Sequence, residues 1–274
     1  MTFDQIAERV DRLYEALTNA SVPLGASVGV RLPATGEWIC AMLAIGKYGA
    51  VYVPLDIRYG PSRISSIIDD CHPAAIFVDK STASEAGTLI SGKQVNIIDA
   101  SRAIGPSQST TPLRAEPHAT AAILYTSGST GKPKGIPLSH EGLCNNVENS
   151  TRIFEISSED VVLQQTAFSF DFSLWQTFLA LANGGTLVVV PDELRRDAVS
   201  IGKLIKSSNI TVTGGTPSEY SSFIRYGSSE SLRASQWTRA ICGGEAVQDG
   251  LLEDFRMLAK ADLCVHNIYG ETSS

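Results

Sequence analysis

The chain has 274 residues, of which 43% are apolar and 19% are charged, a composition typical of globular rather than disordered proteins. Its formal net charge is −7, which disfavours a broad nucleic-acid surface but is compatible with a local phosphate site. No apolar run approaches the roughly 20 residues of a transmembrane helix, and the first residues lack a signal-peptide core. We therefore expect a cytoplasmic protein with no membrane or nucleic-acid partner.

The five cysteines are scattered and show no Cys-x-x-Cys spacing, and the four histidines show no spacing typical of metal ligands. A disulfide framework and a structural zinc site are therefore not expected. Single buried thiols in a reducing compartment are the simpler interpretation.

Alternating strands and helices are predicted along the whole chain. Residues 3–17 predict an amphipathic helix with a capping box formed by Thr2 and Gln5. Further helices are predicted at 38–45, 61–70, from Ser139 into the 140s, and at 172–182, 198–207, 218–225 and 246–259. Strands are predicted at 27–32, 51–53, 75–78, 95–98, 121–125, 161–164, 186–190, 210–213, 239–242 and 262–265.

This alternation predicts an α/β fold with largely parallel sheets and helices on both faces. Residues 100–118 contain Ser, Thr and three prolines and predict a surface loop. The number of elements is enough for two α/β lobes, but no linker is evident, so a boundary between lobes is left open. Residues 228–231 predict a solvated loop or helix end.

The segment YTSGSTGKPKG, residues 125–135, follows a predicted strand directly and carries three glycines, four Ser or Thr hydroxyls and two lysines. Glycines let backbone N–H groups turn towards an anion, while hydroxyls and lysines add donors and positive charge. A Walker A loop requires Ser or Thr after Gly-Lys, but Pro133 follows Lys132 here. We expect a phosphate-binding loop between a strand and a further strand or turn, rather than the start of a helix.

This segment resembles the phosphate-binding signature of the adenylate-forming superfamily. Five more segments resemble the superfamily's motifs in the same order: AIGKYGAVYVPLD at 44–56, His140 after the PKG sequence, FDFS at 170–173, GGEA at 243–246 and NIYGETS at 267–273. The resemblance covers essentially the whole chain. The AIGKYGAVYVPLD and FDFS segments together favour the amino-acid-activating branch of the superfamily. This branch contains the adenylation domains of nonribosomal peptide synthetases.

The resemblance implies ATP as a substrate. The ATP-binding positions that it implies are Thr126, Ser127, Gly128, Ser129, Thr130, Gly131, Lys134, Gly243, Gly244, Glu245, Ala246, Asn267, Tyr269, Gly270 and Thr272. Tyr269 would stack on adenine and Asn267 would bond its amino edge. The catalytic residues that it implies are Thr130, Lys134, His140 and Thr272.

Asp171, in FDFS, is the residue that the resemblance pairs with the α-ammonium group of an amino acid, by a charge-assisted hydrogen bond. Taken alone, it is also a candidate N-cap for the helix that follows. The implied positions of the side-chain pocket are Phe172, Trp175, Gly215, Ile241, Gly243 and Ile268. Apolar walls with glycines leaving space predict an uncharged substrate side chain. Ordinary core packing is the alternative, less favoured explanation for the two aromatic residues.

Two departures from the family pattern matter. The family has an acidic Mg²⁺ ligand where this chain has Ser273, and a hydroxyl is a poor substitute for a carboxylate on a hard cation. Either Glu271 or Glu245 compensates, or binding of Mg²⁺-ATP is weakened. Family members also continue into a small C-terminal lid with a catalytic lysine. We therefore expect residues 1–274 to be a truncated N-terminal core subdomain that is inactive when isolated.

The expected reaction of the whole enzyme is ATP-dependent activation of an amino acid as aminoacyl-AMP with release of pyrophosphate. The acyl group would then pass to the phosphopantetheine arm of a peptidyl carrier domain, next to condensation domains of the same synthetase. Two alternatives stay open. Activation of an aryl or fatty acid for CoA would leave Asp171 without an ammonium partner, and an inactive nucleotide-binding module would agree with Ser273. The absence of a Gly-x-Ser-x-Gly motif disfavours an α/β-hydrolase.

Overall fold

The computed structural model describes residues 1–104, 115–127 and 132–270. The chain divides into two compact units, Met1–Cys144 and Asn145–Ser274, and each is described by itself. None of the helices in the described ranges combines the length and the apolar character that crossing a membrane requires.

The first unit is built on a six-stranded sheet. Its elements are α1 (Phe3–Asn19), β1 (Ser27–Val30), α2 (Gly36–Tyr48), β2 (Val51–Pro54), α3 (Pro61–Cys71), β3 (Ala75–Val78), α4 (Ala83–Leu89), β4 (Asn96–Asp99), β5 (Thr120–Ser127), β6 (Pro133–Ser139) and the start of α5 (His140–Ile153). The strand order is β4-β3-β1-β2-β5-β6. All neighbouring pairs are parallel except β5 and β6, which form an antiparallel hairpin.

Local sequence signals explain how the first unit begins. Thr2 Oγ1 accepts the Gln5 N–H at 3.2 Å and the Thr2 N–H donates to Gln5 Oε1 at 2.8 Å, which confirms the predicted capping box. The helix α2 ends at Gly49, whose φ of 82° lies in the left-handed region that favours glycine. The apolar residues of β2 and β3 then pack with α3 and α4 in one buried cluster.

The second unit is built on a five-stranded sheet. Its elements after α5 are β7 (Val161–Gln164), α6 (Asp171–Leu181), β8 (Thr186–Val189), α7 (Ala198–Ser207), β9 (Val212–Gly215), α8 (Pro217–Tyr226), α9 (Ser229–Arg233), β10 (Arg239–Cys242), α10 (Asp249–Leu258) and β11 (Cys264–Asn267). The strand order is β11-β10-β9-β7-β8, and all neighbouring pairs are parallel.

Alternate residues of this second sheet are buried on opposite faces. Val162 and Ile241 pack with residues of α6, whereas Leu163 and Cys242 pack with residues of α7, α8, α9 and α10. Because both faces are covered, the strands can be apolar along their whole length. The predicted α/β fold, with largely parallel sheets and helices on both faces, is confirmed.

The differences from prediction have local causes. The helices α4 and α9 have only seven and five residues, so their periodicity is too short to recognise, and α9 occupies residues where a solvated loop or helix end was predicted. The strand β9 begins two residues later than predicted because the Ile210 N–H still bonds to Ile205 O at the end of α7. The middle of the predicted loop 100–118 lies outside the described residues.

Ser139 acts as the predicted cap of α5, since its Oγ accepts the Gly142 N–H at 3.1 Å. Replacing Ser139 with Ala is expected to lower the free energy of unfolding by about 1 kcal/mol, because the helix start loses this hydrogen bond. Equilibrium urea unfolding measures the change. Ser66→Ala is the control, since Ser66 Oγ only bonds to Ser62 O inside α3, and equal losses in both variants would contradict the capping role.

Candidate functional site

The β5–β6 hairpin frames the predicted phosphate loop. Thr126 in β5 lies opposite Lys134 in β6, and Tyr125 lies opposite Gly135. Thr126 is half-buried and Lys134 is exposed. The predicted ligands Gly128, Ser129, Thr130 and Gly131, and the Ser127 side chain, lie outside the described residues. The loop is followed by a strand rather than by a helix, which confirms the distinction from a Walker A loop.

The end of β5 is fixed to α3 just before this loop. The Tyr125 hydroxyl donates to Asp70 Oδ2 at 2.6 Å, and Arg63 Nη2 donates to Tyr125 O at 3.1 Å. A Cβ at Gly135 would lie 3.1 Å from both Tyr125 Cζ and Ile123 Cγ2, so glycine allows the two strands to approach. Burial, and then the hydrogen bond to Asp70, raise the pKa of Tyr125. The phenol therefore stays protonated and acts as an anchor.

His140 is not brought together with Lys134. It is the first residue of α5, and β6 separates the two residues along its length, which corresponds to about 20 Å for six residues of extended strand. Burial lowers the pKa of His140, so its imidazole is neutral at neutral pH. The geometry of the first unit gives it no contact with the described part of the predicted phosphate site.

The predicted site residues of the second unit lie at one end of its strands. Asp171 follows β7, the glycines at 214 and 215 end β9, the GGEA segment follows β10, and Asn267 ends β11. All four positions are at the carboxyl ends of parallel strands, which is where α/β sheets commonly bind ligands.

Phe172 and Trp175 form a stacked pair, with ring centroids 4.7 Å apart and ring planes inclined by 7°. A Cβ at Gly214 would lie 2.7 Å from Trp175 Cζ3 and 2.9 Å from Phe172 Cε1. Glycine at position 214 therefore lets both rings pack on β9. Trp175 and Ile241 are buried in one cluster, with Phe172 and Ile268 packed against it.

The glycine next to the aromatic pair is Gly214, which the sequence reasoning missed. Gly215 faces away from the pair, because a Cβ there would meet Gln165 Nε2 at 2.7 Å and Glu219 Oε2 at 3.0 Å. Strand register is the signal that could have identified Gly214. Gly214 pairs with Ile241, a predicted pocket residue, and lies on the same face of the sheet. The expected space beside these glycines is occupied: a Cβ at Gly243 would meet Ile268 Cγ1 at 2.7 Å.

Asp171 is the first residue of α6, while the N-cap is Phe170, so the interpretation of Asp171 as the N-cap is wrong. Its carboxylate is half-buried, and Oδ1 accepts the Phe172 N–H at 2.7 Å. No ion pair to Asp171 occurs among the residues that the structure describes. A carboxylate in this setting can accept a hydrogen bond from a cationic group.

The GGEA segment is held against the start of α8. Glu245 Oε2 accepts hydrogen bonds from the Ser218 N–H at 3.2 Å and from the Ser218 hydroxyl, and the Gly243 N–H donates to Gly215 O at 3.1 Å. Gly244 has a φ of 82°, which favours glycine. This arrangement leaves Gly244 and Ala246 exposed on the surface of the loop.

The NIYG segment is open to solvent at the end of β11. Asn267 and Gly270 are exposed, and the Tyr269 side chain is 97% exposed. An aromatic face this accessible is suited to stacking on a flat ring. Glu271 and Thr272 lie outside the described residues.

The predicted Mg²⁺ site stays a prediction. Within the described ranges, no three His, Cys, Asp or Glu side chains are grouped as a metal ion requires. Glu245, proposed as a substitute ligand, has one carboxylate oxygen bonded to Ser218. Its other oxygen is not used in that bond, so Glu245 and Glu271 both stay candidates.

The cysteines provide no activated nucleophile in the core. All five thiols are free, and Cys40 and Cys242 are buried as expected, but Cys144 and Cys264 are exposed. Burial raises the pKa of Cys40 to about 11 and that of Cys71 to about 12. At neutral pH these two thiols are therefore protonated.

Glu219 closes a capping box at the start of α8. Its Oε2 accepts the Thr216 N–H at 2.8 Å, and its own N–H donates to Thr216 Oγ1 at 3.3 Å. Burial raises the pKa of Glu219 in spite of these hydrogen bonds. Because the folded-state pKa lies above the unfolded value, the carboxyl stabilises the fold most at low pH, and this contribution is lost as pH rises through the folded-state pKa.

Replacing Glu219 with Gln is expected to raise the free energy of unfolding at pH 7 by up to about 1 kcal/mol. The amide still accepts the Thr216 N–H but carries no charge to bury. The gain should vanish near pH 4, where the wild-type carboxyl is protonated. Urea unfolding at both pH values measures it, and a gain of equal size at pH 4 would contradict the electrostatic cause.

The comparisons with known proteins agree with this architecture. The family described as AMP-binding enzyme matches residues 1–274. The hybrid PKS-NRPS synthetase poxE of Penicillium oxalicum is 43% identical over 277 aligned residues, which cover 100% of this chain and 7% of that protein. The chain therefore belongs to the AMP-binding enzyme family.

Two solved structures share the fold at lower identity. The nonribosomal peptide synthetase FmoA3 in its α-methyl-L-serine-AMP-bound form has a TM-score of 0.88 and 23% identity, covering 99% of this chain and 30% of that one. Its AMPPNP-bound form has a TM-score of 0.85 and 23% identity, covering 98% and 28%. The fold is that of the N-terminal subdomain of adenylate-forming enzymes. This chain spans about 7% of the length of the curated relatives it matches.

Proposed function

We propose that this chain is the N-terminal core of an amino-acid adenylation domain, which joins an amino acid to ATP as aminoacyl-AMP and releases pyrophosphate. The observation that carries the proposal is the half-buried Asp171 carboxylate, free of ion pairs among the described residues, at the start of the helix that carries the stacked rings of Phe172 and Trp175. The first turns of α6 thus offer one anionic partner and an apolar surface. An α-ammonium group with an uncharged side chain fits both features.

We assign the binding of ATP to groups within each unit. In the first unit, Thr126 and Lys134 stand at the two ends of the segment proposed to bind the phosphates. In the second unit, the exposed Gly244 permits close approach of a flat ring, and Tyr269 offers an accessible face for stacking. Binding of AMPPNP by the structural relative FmoA3 supports this assignment.

Catalysis in this proposal depends on positioning and electrostatics rather than on a protein nucleophile. The substrate carboxylate attacks the α-phosphorus in line, the bond to the bridging oxygen breaks, and pyrophosphate leaves. Lys134 supplies positive charge for the phosphates, and Thr130 and Thr272 supply hydroxyl donors. Mg²⁺, when bound, would neutralise phosphate charge, with Glu271 as the proposed ligand. His140 is assigned no contact with the phosphates.

The proposed partners are inferred from the multidomain relative of this chain. The relative poxE is a hybrid PKS-NRPS synthetase, of which this chain covers 7%. We propose that the activated acyl group passes to a phosphopantetheine arm on a peptidyl carrier domain, with condensation domains in the same synthetase. The proposal also includes a C-terminal lid with a catalytic lysine as part of the active enzyme.

Pyrophosphate exchange in the full-length gene product tests the proposed reaction. A panel of twenty amino acids and a set of aryl and fatty acids should give exchange with one or a few uncharged amino acids. Exchange with aryl or fatty acids alone would contradict the assignment of Asp171. Loss of all exchange with retained ATP binding would indicate an inactive nucleotide-binding module.

Lys134→Ala is expected to lower kcat/KM for exchange at least tenfold, equivalent to about 1.4 kcal/mol, because the phosphates lose a cation. Thr130→Ala should act in the same direction. Lys132→Ala is the matched control, since this neighbouring exposed lysine is not among the proposed ligands. Equal losses in Lys132→Ala and Lys134→Ala would indicate general electrostatic attraction rather than a specific contact.

A further inference from the structure

Gln176 is a fully buried residue of α6 whose side chain bonds only to other segments of the second unit. Its Oε1 accepts the Thr166 N–H at 3.2 Å, and its Nε2 donates to Gly214 O at 2.7 Å. One amide group therefore joins three pieces of the chain: the helix that begins with Asp171, the connection from β7 to that helix, and the carboxyl end of β9.

Both bonded segments carry parts of the proposed amino-acid site. Thr166 lies in the connection that leads from β7 to Asp171. Gly214 is the residue on which the Phe172 and Trp175 rings pack. The amide of Gln176 thus fixes the position of α6, which carries both Asp171 and the two rings, relative to the carboxyl end of β9.

The chemistry of the site requires an amide at this position. One end of the side chain must accept a hydrogen bond and the other must donate one, and among uncharged side chains of this length only glutamine does both. A buried backbone N–H or carbonyl left without its partner is costly. The Thr166 carbonyl has its own partner, because Gln164 Nε2 donates to it at 2.5 Å, so loss of Gln176 leaves this connection partly held.

We propose that Gln176 is a positioning residue that sets the affinity and selectivity for the amino-acid side chain. This inference rests on the proposed function. Thr177, the next residue along α6, is an internal contrast: it is equally buried, but its Oγ1 donates to Ser173 O within the helix at 2.8 Å. Removing that bond perturbs α6 without releasing it from β9.

The test uses pyrophosphate exchange by the full-length gene product with Gln176→Leu, Gln176→Glu and Thr177→Val. Gln176→Leu is expected to raise KM for the preferred amino acid at least tenfold and to change the ranking of amino acids, with kcat and KM for ATP within about twofold of wild type. Thr177→Val should leave all of these parameters within twofold, with a similar thermal stability.

The pH dependence of KM in Gln176→Glu distinguishes a positioning role from a general loss of stability. The protonated carboxyl can donate to Gly214 O, but the ionised form cannot. Its KM, relative to wild type at the same pH, should therefore rise as pH rises, whereas the defect of Gln176→Leu should not depend on pH. If Gln176→Leu does not fold, the pH dependence of Gln176→Glu carries the test.

The outcomes separate the two proposals. Wild-type protein that exchanges no amino acid overturns the proposed function itself. Wild-type exchange together with an unchanged amino-acid KM in Gln176→Leu, an equal rise in Thr177→Val, or a defect of Gln176→Glu that is independent of pH overturns the positioning role alone.

Discussion

Replacing Asp171 with Ala is expected to lower kcat/KM for the amino acid by about 150-fold or more, while KM for ATP stays close to the wild-type value. The α-ammonium group would enter a partly desolvated site without its anionic partner, and such a loss costs about 3–5 kcal/mol. Pyrophosphate exchange measured against amino-acid concentration gives kcat/KM for the amino acid. The same exchange measured against ATP concentration gives KM for ATP.

Asp249→Ala is the matched control for Asp171→Ala. Each of these two aspartates is the first residue of a helix in the second unit, α10 for Asp249 and α6 for Asp171. Both variants therefore lose the same favourable interaction with the helix dipole, but only one loses the proposed substrate contact. Normal activation of α-amino acids by Asp171→Ala would remove the main support for the amino-acid assignment.

The order of strands and helices was predictable because the strands are buried on both faces. The predicted strands 75–78, 161–164 and 239–242 coincide with β3, β7 and β10, since parallel strands covered by helices are mostly apolar. The antiparallel pairing of β5 with β6 was less predictable from the local sequence pattern. Only the tertiary pairing across the hairpin, with Gly135 against Tyr125, defines that strand.

The candidate site was predictable where a short motif carries it. Asp171, Phe172 and Trp175 lie within five residues, and helical spacing places the two rings on one face, as the stacked pair confirms. Gly214 and Gln176 were missed because their importance arises from contacts between α6 and β9. No local pattern reports such contacts.

Asp160→Ala is expected to lower the free energy of unfolding of the second unit by about 1–3 kcal/mol, because the hydrogen-bond donors around its buried carboxylate lose their acceptor. Asp160 is 4% exposed and lies at the opposite, amino end of the sheet. Its Oδ1 accepts hydrogen bonds from Thr211 Oγ1 at 2.7 Å and from Arg239, and its Oδ2 accepts the Ser157 N–H at 2.9 Å. One carboxylate thereby joins the starts of β7, β9 and β10.

Urea unfolding and pyrophosphate exchange on the same samples separate the roles of the two aspartates. Asp160→Ala should reduce stability while the fraction that remains folded keeps its KM for the amino acid, because the carboxyl ends of the strands are untouched. Glu253→Ala is the control: its exposed carboxylate pairs with the exposed Arg256 within α10, and exposed pairs contribute little. A raised amino-acid KM in folded Asp160→Ala would show that the two ends of the sheet are coupled, contrary to this assignment.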